Sequence, residues 1–96
     1  MLEKDYQAKL IKKIKKRLPD SIVMKEDANY KQGIPDLIVL NQNNWAALEV
    51  KKSENASKRP NQEYYVDKMN SMSFASFIYP ENEEDVLNAM EQALKR

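Results

Sequence analysis

Gly33-Ile34-Pro35-Asp36-Leu37-Ile38-Val39-Leu40-Asn41-Gln42-Asn43-Asn44-Trp45-Ala46-Ala47-Leu48-Glu49-Val50-Lys51 holds two apolar strands, a polar turn between them, and charges gathered where the strands open. Residues 36–40 and 45–48 have strand composition, and 41–44 are turn formers. A hairpin centred between Gln42 and Asn43 sets Asp36 opposite Glu49, and opposed residues of antiparallel strands point to the same side. Lys51, two residues past Glu49, joins them there. Two carboxylates and an ammonium thus converge at one end of an apolar hairpin, which is costly unless a metal or a charged ligand uses them. A one-residue change in the turn would scatter them to opposite faces. Gly33 is the only glycine in the chain. It stands where a sharp entry into the strand, or close backbone approach to a ligand, would require one.

The chain has 96 residues, enough for one small domain with a single core spanning 1–96. Hydrophobic residues make up 42% and charged ones 32%, which fits a globular protein and not a disordered one. No apolar run reaches membrane-spanning length and no signal-peptide pattern opens the chain, so a cytoplasmic location without membrane contact is expected. Cysteine and histidine are both absent. Thiol catalysis, thiolate zinc sites, Ser-His-Asp hydrolysis and histidine general bases are therefore excluded. Any catalysis must rest on carboxylates, Lys, Tyr, Ser and a hard cation held through oxygen.

The net charge of +1 hides a gradient. Lys4, Lys9, Lys12, Lys13, Lys15, Lys16 and Arg17 crowd the first helix, whereas Glu81, Glu83, Glu84, Asp85 and Glu91 load the tail. With Lys52, Lys58 and Arg59, the basic helix either contacts a polyanion or is simply a solvated face. That helix is expected over residues 2–18, stopped by Pro19. At about 100° per residue, Glu3, Gln7, Leu10, Ile14 and Leu18 share one sector. Glu3 is either a helix-start charge favoured by the dipole or a third carboxylate facing the hairpin.

Further along, 22–26 has the composition of a strand and 27–32 that of a polar connection. Residues 53–60 form a polar loop. A second helix over 62–70, introduced by Pro60 or Asn61, offers Tyr64, Tyr65, Val66 and Met69 as a core face. A fourth strand covers 74–79, and Asn82 is placed to cap a last helix carrying Val86, Leu87, Met90, Ala93 and Leu94. The order is α-β-β-β-α-β-α. Both hairpin faces are apolar, which predicts an α/β fold with a mixed sheet flanked by helices on two sides.

Taken together, these residues make the chain resemble a minimal PD-(D/E)xK nuclease with a restriction-endonuclease-like core. More narrowly it is similar to the stand-alone virus-type replication-repair nuclease (VRR-NUC) domains, relatives of archaeal Holliday-junction resolvases. Glu3 and Gln7 match the Glu-x-x-x-Gln of the family's first helix. Gly33-Ile34-Pro35-Asp36 and Glu49-Val50-Lys51 match its Gly-apolar-Pro-Asp and Glu-x-Lys elements. Arg59-Pro60-Asn61-Gln62 stands where the family has Ser-Pro-x-Gln, with Arg59 replacing the small residue.

The resemblance implies Mg²⁺, replaceable by Mn²⁺, held by Asp36, Glu49 and the Val50 carbonyl, with Glu3 reaching it through water or completing a second metal position. It implies that Lys51 orients or deprotonates the attacking water, that Gln62 positions water or phosphate, and that Gln7 lies behind them. Lys9, Lys12, Lys13, Lys16, Lys52, Lys58 and Arg59 would hold DNA phosphates without reading sequence. The implied activity is structure-selective cleavage of DNA, above all of four-way junctions by a homodimer, with Tyr64, Tyr65, Met69, Met72 and Phe74 as candidate interface residues. The alternatives are a nicking or flap nuclease module of a larger replication or restriction complex, and a non-catalytic nucleic-acid-binding domain of the same fold.

Overall fold

A computed structural model describes residues 1–27 and 31–95. The expected 27–32 connection therefore lies partly outside the described residues. The elements follow the expected order: α1 (Glu3–Arg17), β1 (Ile22–Lys25), β2 (Leu37–Asn41), β3 (Asn44–Val50), α2 (Pro60–Met72), β4 (Phe74–Ile78) and α3 (Glu83–Leu94). The four strands lie in the order β1-β2-β3-β4, with the first three antiparallel and β4 parallel to β3. The sheet is mixed, as the two-sided apolar hairpin required.

The hairpin register is the expected one. Leu37 faces Leu48, Val39 faces Ala46, and Asn41 faces Asn44. The turn is tighter than its composition suggested, with only Gln42 and Asn43 between the strands and Gln42 at φ 56°. Asn41 and Asn44 are ladder residues instead. The amides of both donate to the carbonyl of Leu94, which pins the hairpin tip to the end of α3.

Alternation along the strands sorts the core into two layers. Leu37, Val39, Ala46, Leu48, Val50 and Ile78 face α1 and α3, meeting Leu10, Ile14, Leu87, Met90 and Leu94. Ala47, Ala75, Ile38 and Phe77 face α2 at Val66 and Met69. The α2 layer is thin and leaves β1 bare, with Ile22 59% and Met24 41% exposed.

Several local expectations shift. α2 begins at Pro60, two residues early, because Pro is favoured at a first helical position and Arg59 takes the cap. Tyr64 points to solvent, so of the proposed α2 core face only Val66 is fully buried. Asn82 does precede α3, but its side chain accepts from the Tyr79 N–H and donates to the Phe77 carbonyl, tying down the turn and not capping the helix. No helix among the described residues is long and apolar enough to cross a membrane.

Candidate active site

The charged cluster sits on the α2 side of the sheet, where β2 and β3 open beyond the apolar rows. Leu37 faces Leu48 at the open end of the β2–β3 ladder, and one step further brings Asp36 beside Glu49 and Val50. Asp36 Oδ2 accepts the Val50 N–H at 2.9 Å. Glu49 is 3% exposed and Lys51 7% exposed, which for two ionisable side chains demands partners. Lys51 Nζ lies 3.9 Å from Glu49 Oε2.

Gln62, from the first turn of α2, supplies the remaining bonds. Its Oε1 accepts from Lys51 Nζ at 2.9 Å, and its Nε2 donates to Glu49 Oε2 at 3.2 Å. The same Oε1 accepts the Arg59 backbone N–H at 3.0 Å, one half of a capping box. The other half is lacking because a guanidinium has no acceptor. One amide thus fixes the start of α2, the ammonium and the acid together. No buried side-chain polar atom among the described residues lacks a partner.

The Glu49 carboxyl is pushed up to about 8, chiefly by burial and then by the nearby Asp36 charge, with Lys51 opposing and an Asp36 hydrogen bond and the Glu3 charge adding to the rise. Burial and the Asp36 charge thus favour the protonated form of Glu49 as long as no cation is near. Two carboxyl groups brought this close, one of them buried, are short of positive charge, and a hard divalent ion fits that donor set. Asp36, Glu49 and the Val50 carbonyl are the groups available to hold it. The Val50 side chain itself points into the core of the opposite face.

Glu3 is placed less tightly than the shared helical sector suggested. It lies at the exposed start of α1, although its charge is felt at Glu49. Among the described residues no three Asp or Glu side chains come close enough to hold one ion together. Gln7 is half-buried in the same stripe. Tyr6, which the stripe omitted, is buried, and its hydroxyl donates to Glu83 Oε1 at 2.9 Å.

The basic residues divide. Lys13 and Arg17 turn to α3, Lys13 onto Glu83 and Arg17 onto Glu84, Glu91 and Asn88. Part of the charge gradient is therefore satisfied within the molecule. Lys9, Lys12, Lys16, Lys52 and Arg59 remain exposed. Lys58 is half-buried over the rings of Phe77 and Tyr79. Those two aromatics stand next to the cluster, an adjacency the sequence did not disclose because nothing local sets the β3–β4 register.

The sequence matches no family profile and no curated protein sequence. Among solved structures, one described as a VRR_NUC domain protein is similar over 99% of this chain and 89% of its own, with a TM-score of 0.72 and 19% identity. The chain has the VRR-NUC fold, a four-stranded mixed sheet flanked by helices.

Proposed function

We propose that this chain is a Mg²⁺-dependent, structure-selective DNA endonuclease that hydrolyses phosphodiester bonds. The observation that carries this is the pairing of buried Glu49 and Lys51 with half-buried Asp36 and Gln62 at the open end of the hairpin. The likeness to a VRR_NUC domain protein supports it. Asp36, Glu49 and the Val50 carbonyl would hold Mg²⁺, with Mn²⁺ able to substitute. When bound, the ion supplies Lewis-acid polarisation of the phosphate and a more acidic water.

The chain's own groups do the rest. Lys51, braced by Gln62, orients the attacking water and offsets negative charge growing on the phosphate oxygens. Glu3 reaches the same centre from α1, through water or at a second cation position. Lys9, Lys12, Lys16, Lys52 and Arg59 hold flanking phosphates, and Lys13 contributes less because Glu83 engages it.

Lysines and an arginine that hold phosphates read no base sequence, so selection is by DNA shape, with the four-way junction as the preferred substrate. Two symmetric cuts need two sites and hence a homodimer. Exposed apolar side chains on α2 (Tyr64, Met72) and on the bare β1 face (Ile22, Met24) offer surface for that dimer. The protein acts in the cytoplasm.

The test is a panel of four-way, flap, single-stranded and linear duplex DNA, each with EDTA, Mg²⁺ or Mn²⁺. Metal-dependent, paired cuts in the four-way junction are expected. Cutting confined to flaps or single nicks would leave the chemistry and replace the junction reading, whereas binding without any cleavage would leave only a nucleic-acid-binding domain.

A further inference from the structure

The α2 face of the sheet is laid out in rows. Glu49 stands beside Phe77 in the β3–β4 pairing. Neighbouring strands lie about 4.8 Å apart, so the Phe77 ring is the next side chain along from the carboxylate. Tyr79, two residues on, turns the same way, because the Lys58 ammonium lies 5.4 Å from both ring centroids. Both rings line a cavity of about 310 Å³ between α2 and the edge strand β4. Glu63, Asp67 and Asn70 of α2 also line it. None of these groups has a part in the hydrolysis described above.

The lining decides what the cavity can take. It carries two carboxylates against one ammonium, so it repels a phosphate. A nucleobase fits instead, with flat faces for the two rings and exocyclic amines that carboxylates accept from. The volume is at the lower limit of ligand pockets, about 300 Å³, which suits one base and not a base pair. The Lys58 contact with the rings is weaker than base stacking and gives way to it.

We propose that the cavity between α2 and β4 is a subsite for one unpaired DNA base, lying next to the phosphate held at Asp36 and Glu49. The proposal rests on the nuclease reading and adds a requirement to it. The substrate must offer a nucleotide outside the helical stack beside the cleaved bond. A base within intact duplex would first have to be unstacked, and branch points and flaps spare that step.

Fluorescence anisotropy in EDTA can compare two duplexes that differ at one mid-strand position, an unpaired nucleotide in one and an abasic residue in the other. The wild-type protein should bind the first about tenfold more tightly, within the range of base–aromatic stacking. In Tyr79→Leu, checked for folding by circular dichroism, the two affinities should come within about twofold. A 2-aminopurine at the unpaired position gives a readout that needs no variant, since stacking on the rings quenches it.

Equal wild-type affinities, or a 2-aminopurine that stays bright at saturation, would overturn the proposal. So would a base preference that survives in folded Tyr79→Leu, because it would arise elsewhere. With no metal present nothing is cut, so these failures leave the hydrolysis reading standing. Conversely, inactivity with Mg²⁺ would sink that reading without touching the base preference.

Discussion

Gln62 shows how much one side chain can organise. Its amide bonds Lys51, Glu49 and the Arg59 backbone at once, so the acid and the ammonium are oriented by the same group that starts α2. Its place in Arg-Pro-Asn-Gln suggested a site residue, but that sequence gave no hint of the threefold bonding. Glu3 is the reverse case. Helical geometry put it in the sector of Leu10 and Ile14, yet it is exposed where they are buried, because burial depends on how deeply each end of α1 packs, which periodicity does not encode. A charge at an exposed helix start is worth about 0.3–1 kcal/mol, so Glu3→Gln should scarcely change the melting temperature. As a group acting on the cation site it should lower activity strongly, with partial recovery at high Mn²⁺. Activity within about twofold of wild type across a Mg²⁺ titration would return Glu3 to a helix-start role.

At the scale of elements, Gly33 links the strand entry to α2. Its φ is +90°, and an added Cβ would meet Asn61 Cγ at 2.9 Å and the Asn61 backbone carbon at 3.0 Å. The close approach foreseen for this glycine is thus to the first turn of α2, which also carries Gln62. Gly33→Ala should cost about 1–3 kcal/mol and reduce activity by shifting that turn. An unchanged urea midpoint would show that the loop relaxes freely.

Where α1 meets α3, burial opposes ionisation of Glu83, but hydrogen bonds from Lys13 and Tyr6 and the charges of Lys13 and Arg17 hold its pKa below the ordinary range. A depressed carboxylate stabilises the fold above its unfolded pKa of about 4.3, and the contribution is lost as pH falls through the folded value. Glu83→Gln should therefore cost about 1 kcal/mol at pH 7, discounted because Lys13 is half exposed. In urea melts the gap from wild type should narrow towards about pH 3.5. An equal gap at both pH values would contradict this.

For the molecule as a whole, what was legible in the sequence is what local chemistry determines. The two-residue turn fixes the hairpin register, and alternation then assigns each strand residue to a layer, so the Asp36–Glu49 meeting could be read in advance. The β3–β4 register could not, because a crossover through a loop and α2 leaves parallel pairing free of any local signal. The aromatic neighbours of Glu49 stayed hidden for that reason. The charge gradient was visible along the chain, but its partial neutralisation between α1 and α3 needed the tertiary packing.

Asp36 and Glu49 are proposed as the cation-holding core of a DNA-cleaving site. The most direct measurement is single-turnover cleavage of four-way DNA in Mg²⁺ by wild type, Asp36→Asn and Glu49→Gln. Melting temperature and metal-free DNA affinity would be recorded for each protein. Both variants should fold and bind DNA nearly as wild type does. Cleavage should fall by at least about 100-fold, as when one major transition-state stabiliser is removed. Near-wild-type cleavage by either purified variant would contradict the assignment of the site.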